Sequence, residues 1–352
     1  MNHHARTTAV SGGIVASGAL LLLVAQGCGS SGGATGSHGD ASAPDTSGTM
    51  NTDGGPGVDG GAGAADAAND SETSTDGSSM DARTDGATAP LPVLMGVDAN
   101  GDPAFTTATG LSAQVVRVYL PGGDSVPTSV ANAHLDTYYA AGEAVVYSIK
   151  ADQSPDSQAT NQSNLSALAT DIKSKGYASK TWIALHHEPY PELTGAAFQT
   201  MYTTYAPSVR AAGVRCGVIY QTYPLYHGDS TYAPDYTSGI LADVDFIGID
   251  VYPDSTPGGY ATGILSVISP FTTYANQNGK PFQIDEVAVD STVTGTQAAQ
   301  AAWLGGLANL GAAAELVMYY EGAPGGFPDL VIENNPAAVT EWKALYQTLT
   351  TR

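Results

Sequence analysis

Residues 181–190 read Thr181-Trp182-Ile183-Ala184-Leu185-His186-His187-Glu188-Pro189-Tyr190, a short apolar run that stops abruptly at two histidines, a glutamate and a tyrosine. A run this short, with no polar face to offer water, is the pattern of a strand covered on both sides, as in a parallel sheet. The same pattern recurs along the chain. Apolar runs at 93–98, 115–120, 144–149, 181–187, 217–221, 245–251, 281–286 and 315–320 are rich in Val, Ile and Tyr. Between several of them the apolar period lengthens to that of a helix. Leu165, Leu168 and Ile172 mark a helix over 165–175, and Phe198, Met201 and Tyr205 one over 195–212. Ala301, Leu304 and Leu307 mark a third over 297–310, and Trp342, Leu345 and Leu349 a fourth over 339–349. Strands alternating with helices over residues 91–352 predict the α/β class and a closed parallel (β/α)8 TIM barrel, for which about 250 residues is the usual size. An open doubly wound sheet is the alternative, but Gly96-Val97-Asp98-Ala99-Asn100-Gly101 lacks the glycine fingerprint of a nucleotide site.

Active sites of such barrels gather at the carboxyl ends of the strands. The polar residues that end these strands therefore carry the chemistry. Arg117 and Tyr119 end the second. His186-His187-Glu188-Pro189-Tyr190 follows the fourth, and Asp250-Val251-Tyr252 the sixth. Asp285-Glu286 ends the seventh and Tyr319-Tyr320-Glu321 the eighth. Strands four and seven face each other across an eight-stranded barrel, so Glu188 and Glu286 can flank one bound group. Two opposed carboxyls are what glycosidic bond cleavage needs: one protonates the leaving oxygen while the other stabilises or attacks the anomeric carbon.

At these residues the sequence resembles the large clan of retaining glycosidases built on this barrel, and most closely glycoside hydrolase family 26. The acid/base glutamate of that family follows a histidine, as Glu188 follows His187. Asp245-Phe246-Ile247-Gly248-Ile249-Asp250-Val251-Tyr252 is similar to the family's sixth strand. Gly279-Lys280-Pro281-Phe282-Gln283-Ile284-Asp285-Glu286 is similar to its seventh, whose glutamate is the nucleophile. The departures are local. Ala184 stands where an arginine is common, and Pro189-Tyr190-Pro191 replaces a Met-Asn-Gly segment. Val287-Ala288 follows the nucleophile position, and Tyr319 or Tyr320 stands where a tryptophan usually lies under the sugar. These differences bear on the substrate more than on the reaction, and they leave the neighbouring families 5, 39 and 53 open.

The resemblance implies a retaining enzyme acting on a polysaccharide or oligosaccharide, with β-mannan or a related hemicellulose favoured, working as a monomer with no metal and no cofactor. Glu188 is then the general acid/base, kept protonated by burial and by the charge of Glu286. Glu286 is the nucleophile, and Arg117 is expected to clamp it. His187 is expected to reach a sugar hydroxyl or to orient the site. Asp250 is expected to position sugars or Tyr252, and Tyr252 to donate to Glu286 or to the ring oxygen. Tyr223, in a tyrosine-rich loop with Tyr226, Tyr232 and Tyr236, and Tyr320 offer flat faces to sugar rings. About half of that loop's tyrosines are expected to be packing alone. Two other readings remain: a non-catalytic cell-surface carbohydrate-binding barrel, and a metal-dependent hydrolase using His186, His187, Glu188 and Asp250. Against the second, adjacent residues of a strand point to opposite faces. No Gly-x-Ser-x-Gly elbow or phosphate loop supports an esterase or a kinase.

Outward from the barrel, the N-terminus has a different character. Arg6 precedes an apolar stretch centred on Leu20-Leu21-Leu22-Leu23-Val24, too short to span a bilayer and of signal-peptide length. It ends in Ala25-Gln26-Gly27-Cys28, which resembles a bacterial lipoprotein processing site with Cys28 as the lipidated residue. Residues 1–28 are thus expected to be the signal. Residues 29–90, dominated by Gly, Ala, Ser, Thr and Asp, are expected to be a disordered linker, since they lack side chains that could offset the entropy of ordering. Export follows, with anchoring to the outer membrane or cell surface through the lipid alone, or secretion or a periplasmic location if Cys28 is not processed. The other cysteine, Cys216, would be left unpaired and is expected to be a buried apolar residue. A formal net charge of −22 argues against nucleic acid and anionic lipid as binding surfaces and suits a neutral polysaccharide. Replacing Cys28→Ser is expected to move the protein out of the membrane fraction. Identical fractionation of variant and parent would remove the anchor.

Overall fold

The structure, a computed structural model, describes residues 92–120, 122–150, 154–226, 229, 231–253, 259–290, 293, 295–322 and 330–351. The expected signal segment, Cys28 and the 29–90 linker lie outside the described residues. Eight parallel strands close into one barrel in chain order: β1 (Leu94–Asp98), β2 (Val115–Leu120), β3 (Ala144–Ile149), β4 (Thr181–Leu185), β5 (Arg215–Gln221), β6 (Phe246–Val251), β7 (Phe282–Val287) and β8 (Ala314–Tyr319). Pairing of Gly96 with Met318 is among the contacts that join β1 to β8 and close the ring. Nine α-helices among the described residues connect or follow the strands. They are α1 (Asp102–Thr109), α2 (Asp136–Ala141), α3 (Pro155–Ser174), α4 (Gly195–Ala211), α5 (Tyr223–Tyr226), α6 (Tyr232–Thr237), α7 (Ile264–Gln277), α8 (Gln297–Gly305) and α9 (Pro336–Thr350). The first described backbone N–H of the barrel, that of Val93, donates to the carbonyl of Leu349 at 3.1 Å, so the chain enters β1 beside the end of α9.

Period-2 alternation sorts the strand side chains into two cores. One set, Val115, Ala144, Val146, Trp182, Ala184, Ile219, Phe246, Leu316 and Met318, fills the barrel lumen. The other lies between strands and helices and includes Tyr319, Phe105 and Trp342, whose rings meet one another. The lumen accepts Phe246 because the residue paired with it on β5 is a glycine: a Cβ on Gly217 would lie 2.5 Å or less from three atoms of the Phe246 ring. Cys216, fully buried, behaves as the apolar residue expected of it.

Where local structure departs from the sequence pattern, the reasons are specific. The fourth strand ends at Leu185, not at 187, because His186 and Glu188 adopt φ of 55° and 50°, left-handed values that break the extended run. Helix α3 begins at Pro155, ten residues before its apolar stripe. A proline suits the first helical position, and the first turns are polar and so carry no periodic signal. The helix expected over 297–310 becomes α helix to Gly305 and then a 3-10 segment, Gly306–Ala313, where the Gly305-Gly306 pair weakens the α-helical ladder.

Phe246→Ala empties luminal space beside Gly217, which has no side chain to fill it. Its expected cost is about 3–5 kcal/mol, read as a lower urea midpoint at unchanged slope. A loss under about 1 kcal/mol would mean that the lumen collapses around the gap.

Candidate active site

All eight strands run the same way, so their carboxyl ends deliver side chains to one mouth. Arg117 and Tyr119, two apart on β2, both point inward, and Ser148 does so on β3. On β7 the alternation is interrupted. Ile249 pairs with Ile284, but the next residue of β6, Asp250, pairs with Glu286, leaving Asp285 as an extra residue. This is a β-bulge, and it re-aims the strand end. Asp285 and Glu286, neighbours that would otherwise face opposite sides, both enter the lumen. Gly248 makes room for the first: a Cβ there would lie 1.8 Å from Oδ2 of Asp285.

Arg117, fully buried, is the hub. Its Nε donates to Ser148 Oγ at 2.8 Å, and its two terminal nitrogens donate to Asp250 Oδ1 and Oδ2 at 2.5 and 3.1 Å. The nitrogen that meets Asp250 Oδ1 also stands 2.9 Å from Glu286 Oε1. Tyr119 donates its hydroxyl to the same Glu286 oxygen at 2.5 Å, and Tyr252 donates to Oε2. Donors thus converge on both oxygens of Glu286, a charge-assisted arrangement of the strong kind. The bidentate fork goes to Asp250 and not to Glu286. Arg117, expected to clamp Glu286, reaches it through one terminal nitrogen, and Asp250, expected to position sugars or Tyr252, lies buried beneath the mouth and holds Arg117. Tyr252 donates to Glu286 as expected. Tyr119 was not singled out, although its position two residues beyond Arg117 on the same inward face was a usable signal.

Glu188 comes from the opposite side. Its N–H donates to the Ile219 carbonyl at 2.8 Å, and that of His186 to the Ile149 carbonyl at 2.6 Å, so the segment stays fastened to both neighbouring strands beyond the end of β4. Left-handed φ at non-glycine residues costs on the order of 1–3 kcal/mol and concentrates at functional sites. Burial, aided by the charge of Glu286, pushes the Glu188 pKa up to about 7. The two histidines diverge. His186 Nε2 lies 2.9 Å from Glu192 Oε2, whereas His187 packs edge-on against Tyr119 with ring centroids 5.6 Å apart. Burial holds the His187 pKa well below its usual value, with Arg117 and Lys150 adding to the effect, so its imidazole is neutral. Among the described residues no group of three or more His, Cys, Asp and Glu is arranged to hold a metal ion.

The aromatic residues divide as well. Tyr320 sits at the mouth edge-on to Tyr252, with centroids 6.2 Å apart, while Tyr319 is buried on the helix side. Tyr223 and Tyr190 are the exposed large apolar side chains among the described residues. Tyr232 and Tyr236 are buried in a ring cluster with Tyr220, and Tyr226 donates to the Tyr252 carbonyl at 3.0 Å. Two other strand-end acids are engaged with backbone. Asp98 accepts the N–H of Glu321 at 2.5 Å and of Gly101 at 3.1 Å, and Glu321 accepts that of Ile332.

No family model matches the chain, and no curated protein sequence matches it. Solved structures do match. The endo-β-1,4-mannanase from Thermotoga petrophila superposes with a TM-score of 0.52 at 12% identity, over 76% of this chain and 78% of that one. A fungal β-1,4-galactanase gives 0.51 at 13%, over 72% and 94%. A GH26 β-mannanase from Bacteroides ovatus gives 0.50 at 12%, over 74% and 89%. At these identities the likeness is one of fold.

Asp285 yields a prediction about pH. It is buried, and neither carboxyl oxygen has a hydrogen-bond partner among the described residues. Burial, against the pull of Arg117, pushes its pKa up to about 8. The folded state therefore keeps a proton that the unfolded state releases above about 4, and stability falls as pH rises between those values. Asp285→Asn removes that dependence. Urea unfolding from pH 4 to 9 is expected to show the variant gaining on the parent up to about pH 8 and levelling off above it. A difference that does not vary with pH would mean that Asp285 is ionised in the fold.

Proposed function

We propose that this chain is a retaining β-glycoside hydrolase of the (β/α)8 class, with Glu188 as general acid/base and Glu286 as nucleophile. The observation that carries the reading is the unequal treatment of two carboxyls facing each other across one mouth. Glu286 is met by a guanidinium and two phenols, whereas Glu188, half-buried, keeps its proton up to about pH 7. Paired carboxyls whose surroundings drive them apart are the signature of divided acid and nucleophile roles.

In the first step Glu286 attacks the anomeric carbon, and the bond to the leaving oxygen breaks as Glu188 delivers its proton there. A glycosyl ester on Glu286 results. In the second step Glu188, now a carboxylate, takes a proton from water as that water attacks the same carbon. The ester bond breaks, Glu286 is regenerated and Glu188 is again protonated. Tyr252 and Tyr119 hold the Glu286 carboxylate in place as its charge is lost and regained. Tyr320 and Tyr223 offer faces for sugar rings, and His187, neutral, can donate to or accept from a sugar hydroxyl. The solved structures of similar fold include a β-1,4-mannanase, a GH26 β-mannanase and a β-1,4-galactanase. They favour a β-linked polysaccharide as substrate, with β-mannan or a related hemicellulose first. Export and a lipid anchor at Cys28 belong to the same reading and rest on the sequence alone.

Release of reducing ends from soluble β-mannan, β-xylan, mixed-linkage β-glucan and galactan identifies the substrate. Glu286→Ala is expected to abolish turnover on all of them. Glu188→Ala is expected to lose about 10²–10⁴-fold on polysaccharide but far less on an activated aryl glycoside, where added azide restores rate. Proton NMR of the product immediately after cleavage is expected to show retained configuration. Inverted product, or near-parental activity in Glu286→Ala, would overturn the mechanism and leave the non-catalytic carbohydrate-binding barrel in its place.

A further inference from the structure

The loop that carries Glu188 is closed by a carboxylate. Glu192 Oε2 lies 2.9 Å from His186 Nε2, joining the two ends of the segment in which Glu188 is central. The other oxygen of Glu192 accepts from Lys150 Nζ at 2.8 Å, and Lys150 stands directly after β3. Lysine and glutamate thus tie the end of one strand to the loop after the next. On the far side the same loop is held by the Gln221 side-chain amide, which donates to the Tyr190 carbonyl, and by the Glu188 N–H on Ile219.

The charges around Glu188 come from several elements. Glu286 on β7 and Asp250 on β6 are the core acids. Arg117 on β2 is engaged by both of them. Lys150 after β3, Glu192 in the loop itself and the Tyr232 phenol of α6 also act on Glu188, and burial lowers the pKa of both histidines of the loop, His186 and His187. Lys150 is therefore the cation whose ion-pair partner is not a core carboxylate. Its side chain is 18% exposed, so water screens it little, while that of Glu192 is 49% exposed.

We propose that Lys150 and Glu192 are a positioning pair for the acid/base: their contact fixes the loop 186–192, and the lysine sets a positive charge against the negative charges that surround the Glu188 carboxyl. The proposal rests on the reading of Glu188 as acid/base. The double-displacement cycle needs Glu188 protonated in one step and ionised in the next, so its pKa is best placed near the working pH. Burial and Glu286 alone would carry it higher. Lys150 opposes them, and Glu192 in turn offsets Lys150.

The two partners must then act with opposite sign, which a merely structural brace would not do. Protein labelled with carboxyl-¹³C glutamate allows Glu188 to be titrated by NMR without any substrate, its signal assigned by its loss in Glu188→Gln. Lys150→Met is expected to raise the Glu188 midpoint by about half a unit or more, and Lys150→Arg to leave it near the parent. Glu192→Gln, which leaves the lysine uncompensated, is expected to lower it. The alkaline limb of kcat/KM on the polysaccharide that the parent cleaves is expected to move with these midpoints. Shifts of the same sign in Lys150→Met and Glu192→Gln, or no shift in either, overturn the proposal. If Lys150→Met does not fold, an unshifted or raised midpoint in Glu192→Gln overturns it alone. Failure of the underlying reading is a separate result: parental hydrolysis by Glu188→Gln would remove the acid/base role whatever the titrations show.

Discussion

A guanidinium under the mouth of a barrel has given up its water and must find acceptors for all its N–H groups, and around Arg117 the site takes its shape. Ser148, Asp250 and Glu286 come from three different strands, and each is placed by what the arginine needs. A buried cation shared between two carboxylates is costly to form and costlier to break, because removing one partner leaves the others uncompensated. Such a group fixes register more than it adds stability. It lets two acids stand side by side at Asp250 and Glu286, and it leaves Glu188, across the mouth, as the carboxyl with no arginine of its own.

The bulge on β7 is the second condition. In a regular strand Asp285 and Glu286 would face opposite sides, and one of them would enter the apolar layer beneath the helices. The bulge turns Glu286 into the lumen beside Asp285, and Gly248 supplies the space for Asp285. The result is a stack: a buried acid that keeps its proton, above it a carboxylate ringed by donors, and above that the open mouth. Electrostatics and backbone geometry are therefore one device, since the bulge brings Glu286 into the lumen beside an Asp285 whose pKa burial pushes up to about 8.

Much of this was legible in the sequence. Apolar runs bounded by polar clusters marked all eight strands, because strands covered on both faces leave no other pattern. Glu188, Glu286, Arg117 and Tyr252 were legible as strand-end groups in an apolar setting. What was not legible depended on departures from periodicity. Alternation from Phe282 and Ile284, both on the helix side, sends Asp285 inward and Glu286 outward, so the place of Glu286 in the lumen depends on the bulge. Left-handed backbone at Glu188 has no signature in residue type, since glutamate is not among the residues that favour it. The latch through Lys150 and Glu192 joins residues 42 apart in sequence and 2.8 Å apart in space, and no local pattern encodes that.

The hydrogen bond between the Val93 N–H and the Leu349 carbonyl brings the entry of β1 and the exit of α9 together. β1 begins, by definition, at the amino face of the barrel, so both ends of the domain leave from the floor and the carboxyl cluster occupies the ceiling. Whatever is joined to either end, whether a fusion partner, a bead or a surface, is attached beneath the molecule. Both points of attachment of the described domain therefore lie on the face away from the cleft.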